Sequence, residues 1–137
     1  MGGAVLNRLC TYDCDYKNLS PLTLAFIGDA VYDLFVREQL VCKANCSVGK
    51  LNKMKVEKVC CKAQANFMDS LKDKLSEEEI SIYKRGRNAH TNNVPKNASV
   101  ADYHNATGFE TLIGYLYLKE DISRIREIFE LIYNIKE

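Results

Sequence analysis

The stretch from residue 20 to residue 37 is the strongest constraint on the fold. Ser20 can cap the first free amides of a helix and Pro21 suits its first position, so a helix is predicted to begin here. Apolar residues occupy both faces of this helix, which is typical of a helix buried nearly all round. Asp29 falls within one of these faces, where an uncompensated carboxylate is costly. We therefore expect Asp29 to have a partner, a metal ion or a function.

The remainder of the chain shows helical periodicity, and none of it reads as a strand or a repeat. Serines that can cap a helix precede two of these patterns, each with an acid three positions later as in a capping box. The predicted helices span residues 21–40, 48–71, 77–84, 100–118 and 122–135. At 137 residues the chain suits one core rather than two. The sequence predicts an all-α protein with one domain over residues 1–137, in which residues 1–18 are a loosely ordered lead-in.

Composition leaves the class of partner open. The formal net charge of +1 is too close to zero to indicate a nucleic-acid-binding protein. The N-terminus has no signal-peptide-like apolar run, so the six cysteines are interpreted as reduced thiols in a cytosol. Cys10 with Cys14, and Cys42 with Cys46, have a spacing that could hold zinc, which makes a helical zinc or redox protein one alternative. No apolar run approaches the length of a membrane span, so no membrane partner is expected.

A basic segment without acids lies between Glu79 and Asp102. Its side chains that suit phosphate oxygens are Lys84, Arg85, Arg87, Asn88, Lys96 and Asn97. We interpret the segment as a phosphate-binding loop with Gly86 as its flexible point, and an ordinary polar surface loop is the alternative. The lysines between residues 50 and 62 form a second candidate surface for a polyanion.

A second lone acid repeats the pattern seen around Asp29. Glu110 is the only charged residue between positions 106 and 118. We expect Asp29 and Glu110 to meet in the fold, where two carboxylates and several waters would suit Mg²⁺. Such an ion beside a phosphate-binding surface indicates phosphodiester hydrolysis by an activated water. Pairing of each carboxylate with a buried Arg, Lys or Tyr is the alternative.

Several segments resemble a known enzyme family. The letters LAFIGDAV at residues 24–31 resemble the ribonuclease III signature, and FETLIGYLYL at residues 109–118 resembles its second acidic segment. The letters KRGRNA at 84–89, PKN at 95–97 and TGFE at 107–110 resemble the Mini-ribonuclease III family more closely. The resemblance covers about residues 19 to 120.

The resemblance implies an all-helical endoribonuclease domain that forms a symmetric homodimer and cuts double-stranded RNA with Mg²⁺. Asp29 and Glu110 would be the catalytic, metal-ligating carboxylates, and the products would carry a 5′ phosphate and a 3′ hydroxyl. By the same analogy Lys84, Arg85 and Lys96 would contact RNA together with Arg87. The implied task is maturation of precursor large-subunit (23S) ribosomal RNA in the bacterial cytoplasm, helped by a large-subunit ribosomal protein.

The chain departs from full-length ribonuclease III, which usually has acids where this sequence has Leu22, Ala25 and Thr107. The Mini family shares these departures, and they predict a leaner metal site. No separate double-stranded-RNA-binding domain is expected after Glu137, so the catalytic domain would hold RNA through its own basic surface. A non-catalytic ribonuclease III-like dimer that binds structured RNA or ribosomes as a scaffold is the alternative function.

Overall fold

The computed structural model describes residues 7–43, 45–89, 94, 96 and 99–136 of the chain. These residues contain six α-helices, two single turns of 3₁₀ helix and no strand, which confirms the all-α prediction. The helices are α1 (Pro21–Lys43), α2 (Val48–Val59), α3 (Cys61–Leu71), α4 (Glu77–Arg87), α5 (Val100–Leu118) and α6 (Ile122–Lys136). None of the helices in the described part of the chain has the length and apolar character needed to cross a membrane.

Serine caps set the starts of the helices as the sequence predicts. The Ser20 hydroxyl accepts a hydrogen bond from the Thr23 backbone N–H at 3.2 Å. Ser76 forms a complete capping box, because its side chain accepts from the backbone of Glu79 while the Glu79 carboxylate accepts from the backbone N–H of Ser76. The Ser99 hydroxyl likewise accepts from the backbone N–H of Asp102 in the first turn of α5. These bonds satisfy amides that have no partner within the helix.

The single helix predicted over residues 48–71 is wrong, because the chain breaks into α2 and α3 at Cys60. This residue is extended, with ψ at 157°. In a continuous helix the Val59 carbonyl would accept from the backbone N–H four residues later. It accepts instead from the side-chain Nε2 of Gln64 at 2.8 Å. A buried side-chain amide thus takes over a backbone hydrogen bond at the break.

The crossing of α1 and α5 is a contact between backbones. A Cβ on Gly28 would lie 1.8 Å from the carbonyl oxygen of Glu110, and one on Gly114 would lie 1.9 Å from the carbonyl oxygen of Leu24. No side chain fits at either position, so only glycine allows the two helices to approach so closely. The crossing therefore fixes how α1 lies on α5 over more than one helical turn.

Helix α4 packs on another side of α5 through a second glycine contact. A Cβ on Gly86 would lie 2.2 Å from the Thr111 hydroxyl oxygen, and one on Gly108 would lie 2.7 Å from the Tyr83 ring. The prediction that Gly86 is a flexible point of a loop is therefore wrong. Helix α4 continues through Arg87, and Gly86 is buried in it because the packing on α5 leaves no room for a side chain.

The core surrounds α5 and is rich in aromatic rings. Tyr32 of α1 stacks edge-on against Phe109 of α5, with ring centroids 5.3 Å apart, and contacts Phe67 of α3 and Phe129 of α6 at 6.0 and 5.6 Å. Because Tyr32 touches rings from three other helices, it ties α1 to the rest of the bundle. Aromatic pairs in these geometries add to the gain from burial.

One face of α1 is uncovered in the single chain, so the prediction that this helix is buried nearly all round is wrong there. Phe26 is 82% exposed, Leu34 is 58% exposed and Leu22 is 40% exposed. These residues recur every four positions or multiples of four, which places them on one ridge. Periodicity reports which faces are apolar and does not report whether the same chain covers them.

Residues 7–9 contact the end of α5. The Asn7 backbone N–H donates to Glu120 Oε1 at 2.8 Å, and the Leu9 backbone N–H donates to the Tyr117 hydroxyl at 2.8 Å. Glu120, two residues beyond the last residue of α5, has φ at 67°, in the left-handed region that favours glycine. A glycine at this position would lack the carboxylate that binds the backbone of Asn7.

Substitution of Gly114 by Ala tests the crossing of α1 and α5. Its added methyl group would meet the α1 backbone, and we expect the free energy of unfolding to fall by about 3 kcal/mol, the upper end for an overpacked site. Urea denaturation measures this change. Gly49→Ala in α2 is the matched control, because its Cβ would have no neighbour within 4 Å. Gly49→Ala should stabilise the protein by about 0.5–1 kcal/mol, and equal stabilities of the two variants would contradict the backbone contact.

Candidate active site

The α1 and α5 crossing brings Asp29 and Glu110 together, as expected for the two lone acids. Gly28, which precedes Asp29, lies against the backbone of Glu110 itself. The two carboxyl groups share a hydrogen bond. A contact that packs two backbones thus also places the two acids side by side.

The pKa of the Glu110 carboxyl is raised to about 9, mainly by burial and also by the hydrogen bond and the negative charge of Asp29, while the hydrogen bond from the Gln64 amide lowers it in part. Two adjacent carboxylates cannot both ionise without strong repulsion. In the metal-free protein at neutral pH the pair therefore holds one proton on Glu110, which donates to Asp29. A cation bound in place of this proton would balance the negative charge of the two carboxylates.

The pair opens to solvent through Asp29. Asp29 is exposed, whereas Glu110 is largely buried. The face of α1 that carries Asp29 is apolar, as expected, but it is not buried in the single chain. The neighbouring residues Phe26 and Ala30 are exposed as well. A large substrate can therefore reach the pair through Asp29.

Gln64 is a site residue that the sequence analysis missed. It lies on α3, is only 2% exposed, and its side-chain amide hydrogen-bonds the Glu110 carboxyl. A signal was present, because Gln64 shares core spacing with Phe67, Met68 and Leu71 on one face of α3. An amide at a core position of an apolar face needs polar partners.

The donor set of this site consists of hard oxygens. Thr107, which stands where ribonuclease III usually has an acid, donates its hydroxyl proton to the Tyr103 carbonyl at 2.9 Å. The described residues contain no group of three or more His, Cys, Asp or Glu side chains arranged to hold a metal ion. Two carboxylates suit Mg²⁺, which commonly keeps several of its waters. Asp29 and Glu110 therefore fit this ion, and the cysteine-based zinc alternative gains no support from the described residues.

The predicted RNA-binding residues fall mainly at the end of α4 rather than in a loop. Lys84 and Arg85 are exposed in the last turns of the helix, and with the cap residue Asn88 they line a shallow groove of about 520 Å³. Arg87 is half-buried, and its guanidinium carbon lies 5.7 Å from the centroid of the Tyr83 ring. This position is typical of a cation–π contact, which holds the side chain in place.

The other predicted contacts are only partly described. Lys96 is exposed in a turn before α5, and Asn97 lies outside the described residues. Among the second set of lysines, Lys50 and Lys53 are exposed, whereas Lys55 lies 3.3 Å from Asp33. The exposed cations at the end of α4 are thus the part of the predicted surface that the structure brings together.

The proton on Glu110 makes the stability of the metal-free protein depend on pH. The folded protein retains this proton up to about pH 9, whereas the unfolded chain loses it near the usual value of 4.5. Stability linked to Glu110 therefore falls as the pH rises between these values. Glu110→Gln should remove this fall and exceed the wild type at pH 8 by up to about 5 kcal/mol, since each pH unit above 4.5 is worth about 1.4 kcal/mol.

Urea denaturation in a chelator at pH 5 and pH 8 measures this difference. Glu38→Gln, on the exposed side of the same α1 helix as Asp29, is the control and should show no gain with pH. A gain from Glu110→Gln that is equal at the two pH values would contradict the shared proton.

Comparison with known proteins agrees with this geometry. The Ribonuclease III domain family matches residues 22–121, which include both acids. A Mini-ribonuclease 3 from Clostridium tetani is 47% identical over 124 residues, which are 90% of this chain and 82% of that protein. One from a Thermoanaerobacter species is 48% identical over 120 residues, covering 88% of this chain and 84% of that protein.

The fold is also that of a solved structure. The crystal structure of a Fusobacterium nucleatum protein matches with a TM-score of 0.80 at 31% identity, covering 90% of this chain and 98% of that one. The chain therefore belongs to the ribonuclease III family, among the Mini-ribonucleases 3, and is an endoribonuclease.

Proposed function

We propose that this endoribonuclease hydrolyses the phosphodiester backbone of double-stranded RNA with Mg²⁺ at the Asp29–Glu110 pair. The observation that carries the proposal is this pair itself, in which the largely buried Glu110 carboxyl hydrogen-bonds the exposed carboxyl of Asp29. Two hard oxygen donors that share a proton are prepared to exchange it for a divalent cation. The α4 cations beside α5 supply the surface for the RNA backbone.

Asp29 and Glu110 would hold the ion through their carboxylate oxygens. When bound there, Mg²⁺ polarises a phosphodiester and lowers the pKa of a coordinated water, which provides the nucleophile. Glu110 must release its proton to bind the ion, and exposed Asp29 offers that proton a route to solvent. Hydrolysis would break the bond between phosphorus and the 3′ oxygen, leaving a 5′ phosphate and a 3′ hydroxyl.

The end of α4 would hold the RNA through phosphates. Lys84, Arg85 and Asn88 share one groove, and Lys96 together with Asn97 would extend this surface across the following segment. Base edges in the deep major groove of an A-form duplex are out of reach for side chains. Recognition would therefore depend on duplex shape and on the backbone, and the catalytic domain would need no second RNA-binding domain.

We further propose that two copies pair through the open ridge of α1. Leu22, Phe26 and Leu34 form an apolar surface next to Asp29, and contiguous exposed apolar surface of this kind marks an interaction site. A twofold axis through this ridge would place two Asp29–Glu110 pairs in one dimer. Each pair would then cut one strand of the duplex.

The proposed substrate is precursor 23S ribosomal RNA in the bacterial cytoplasm, with a large-subunit ribosomal protein shaping the duplex. This part of the proposal rests on the resemblance of the segments at residues 84–89, 95–97 and 107–110 to the Mini-ribonuclease III family.

Substitution of Phe26 by Glu tests the dimer. Phe26 is 82% exposed in the single chain but would be buried in the dimer interface. A carboxylate there would be buried without a partner, so we expect the dimer to dissociate. Light scattering after gel filtration should give twice the chain mass of 15.6 kDa for the wild type and one chain mass for the variant. Val100→Glu changes an exposed apolar residue at the start of α5 and should leave the dimer intact. A monomeric wild type would overturn the proposed dimer.

Cleavage of a duplex precursor ribosomal RNA tests the activity. Mg²⁺ should produce cuts on both strands that a chelator abolishes. Asp29→Asn and Glu110→Gln should each slow cleavage by about a hundredfold or more, the upper end of the cost of disturbing a metal site, while duplex binding persists. Asp69→Asn, a change of an exposed acid on α3, should cut at the wild-type rate.

The scaffold alternative makes a different prediction in the same assay. Wild-type protein that binds the duplex and never cuts it at any Mg²⁺ concentration would favour the scaffold. Cleavage that survives both carboxylate substitutions would place the active site elsewhere.

A further inference from the structure

The side chain of Gln64 is buried in a way that leaves one polar atom unsatisfied. Its Nε2 donates to the Val59 carbonyl at 2.8 Å, and its amide also hydrogen-bonds Glu110. Its Oε1 is buried and has no hydrogen-bond partner. The residue is 2% exposed, so bulk solvent does not satisfy this oxygen.

The break between α2 and α3 fixes which way the amide points. The Val59 carbonyl ends α2 and needs a donor, which only the nitrogen side of the amide can supply. A reversed amide would set two oxygens against each other. The unsatisfied atom is therefore the oxygen, and it belongs to an amide that touches a proposed metal ligand.

We propose that Gln64 Oε1 is the third protein oxygen of the cation site and accepts a hydrogen bond from a water in the hydration shell of the ion. The inference rests on the proposed function, because it assumes that Asp29 and Glu110 hold a divalent cation. Nε2 in turn positions the Glu110 carboxyl. Gln64 is thus a positioning residue that connects the helix break to the site.

In the metal-free protein an amide disturbs the carboxyl pair less than a third acid would. It adds an oxygen without adding negative charge to two carboxyls that already share a hydrogen bond. Contact through a water is expected because Mg²⁺ dehydrates reluctantly and usually keeps several waters. Groups beyond the direct ligands orient such sites and change metal affinity by about 10- to 100-fold.

Direct binding of Mn²⁺, used as a spectroscopic substitute for Mg²⁺, tests the role of Gln64. The free-ion signal in electron paramagnetic resonance gives the affinity without any cleavage reaction. Gln64→Met keeps the length of the side chain and removes both polar atoms, and it should bind Mn²⁺ about 10- to 100-fold more weakly than the wild type. Gln39→Met, the same change ten residues beyond Asp29 on α1, should bind as the wild type does. An affinity of Gln64→Met within twofold of the wild type would overturn the inference.

Gln64→Glu separates a role at the cation from a role in holding the helix break. Both Gln64 variants lose the N–H that bonds the Val59 carbonyl, but only Gln64→Glu keeps a side-chain oxygen at the position of Oε1. We expect its Mn²⁺ affinity to equal or exceed that of the wild type, even where thermal unfolding of the metal-free variant shows a lower Tm. Equal weakening of Mn²⁺ binding in the two variants would assign Gln64 a structural role and overturn the inference.

The Asp29→Asn variant distinguishes the failure of the inference from the failure of the proposed function. If Asp29→Asn binds Mn²⁺ as tightly as the wild type, the ion is not at the carboxylate pair, and both proposals fall. If Asp29→Asn loses the ion while Gln64→Met retains it, the proposed site stands and the role of Gln64 is overturned.

Discussion

The contact between the backbones of α1 and α5 is the constraint on which the rest of the structure depends. Gly28 and Gly114 lie where any Cβ would meet the opposing main chain within 2 Å. Because Asp29 follows one of these glycines and Glu110 lies opposite it, the packing of the core and the spacing of the two acids are one geometric fact. A change that separates the helices would therefore weaken the fold and spread the carboxyl groups at the same time.

This arrangement imposes an electrostatic demand on the molecule. Burial and a neighbouring acid make ionisation of Glu110 unfavourable, and in the metal-free protein a proton meets that demand. A divalent cation meets it equally well and does so at neutral pH, provided that it can reach the pair. Access comes through Asp29, which is exposed, whereas Glu110 is largely buried beside it.

Local chemistry explains which features the sequence could predict. Ser20, Ser76 and Ser99 identify helix starts because a cap is a short-range hydrogen bond. The meeting of Asp29 and Glu110 is predicted from two lone acids in apolar helices, although only Glu110 is largely buried. The break at Cys60 was missed although the bond that spans it is also local, because glutamine is a common residue within helices and does not mark a break in the sequence. The exposure of the α1 ridge could not be predicted either, because an apolar pattern does not show whether the same chain or another molecule covers that face.

The error at Gly86 changes how the basic surface should act. A flexible glycine in a loop would let cations adjust to RNA at a cost in conformational entropy. A glycine packed against Thr111 instead holds the end of α4 on the stretch of α5 that carries Glu110. Lys84 and Arg85 lie on the opposite face of α4 from its buried residues, and the packed Gly86 fixes the end of the helix that carries them. Phosphates bound at α4 would place the scissile bond by the rigidity of two packed helices, which is the kind of positioning that lowers the entropic cost of reaction.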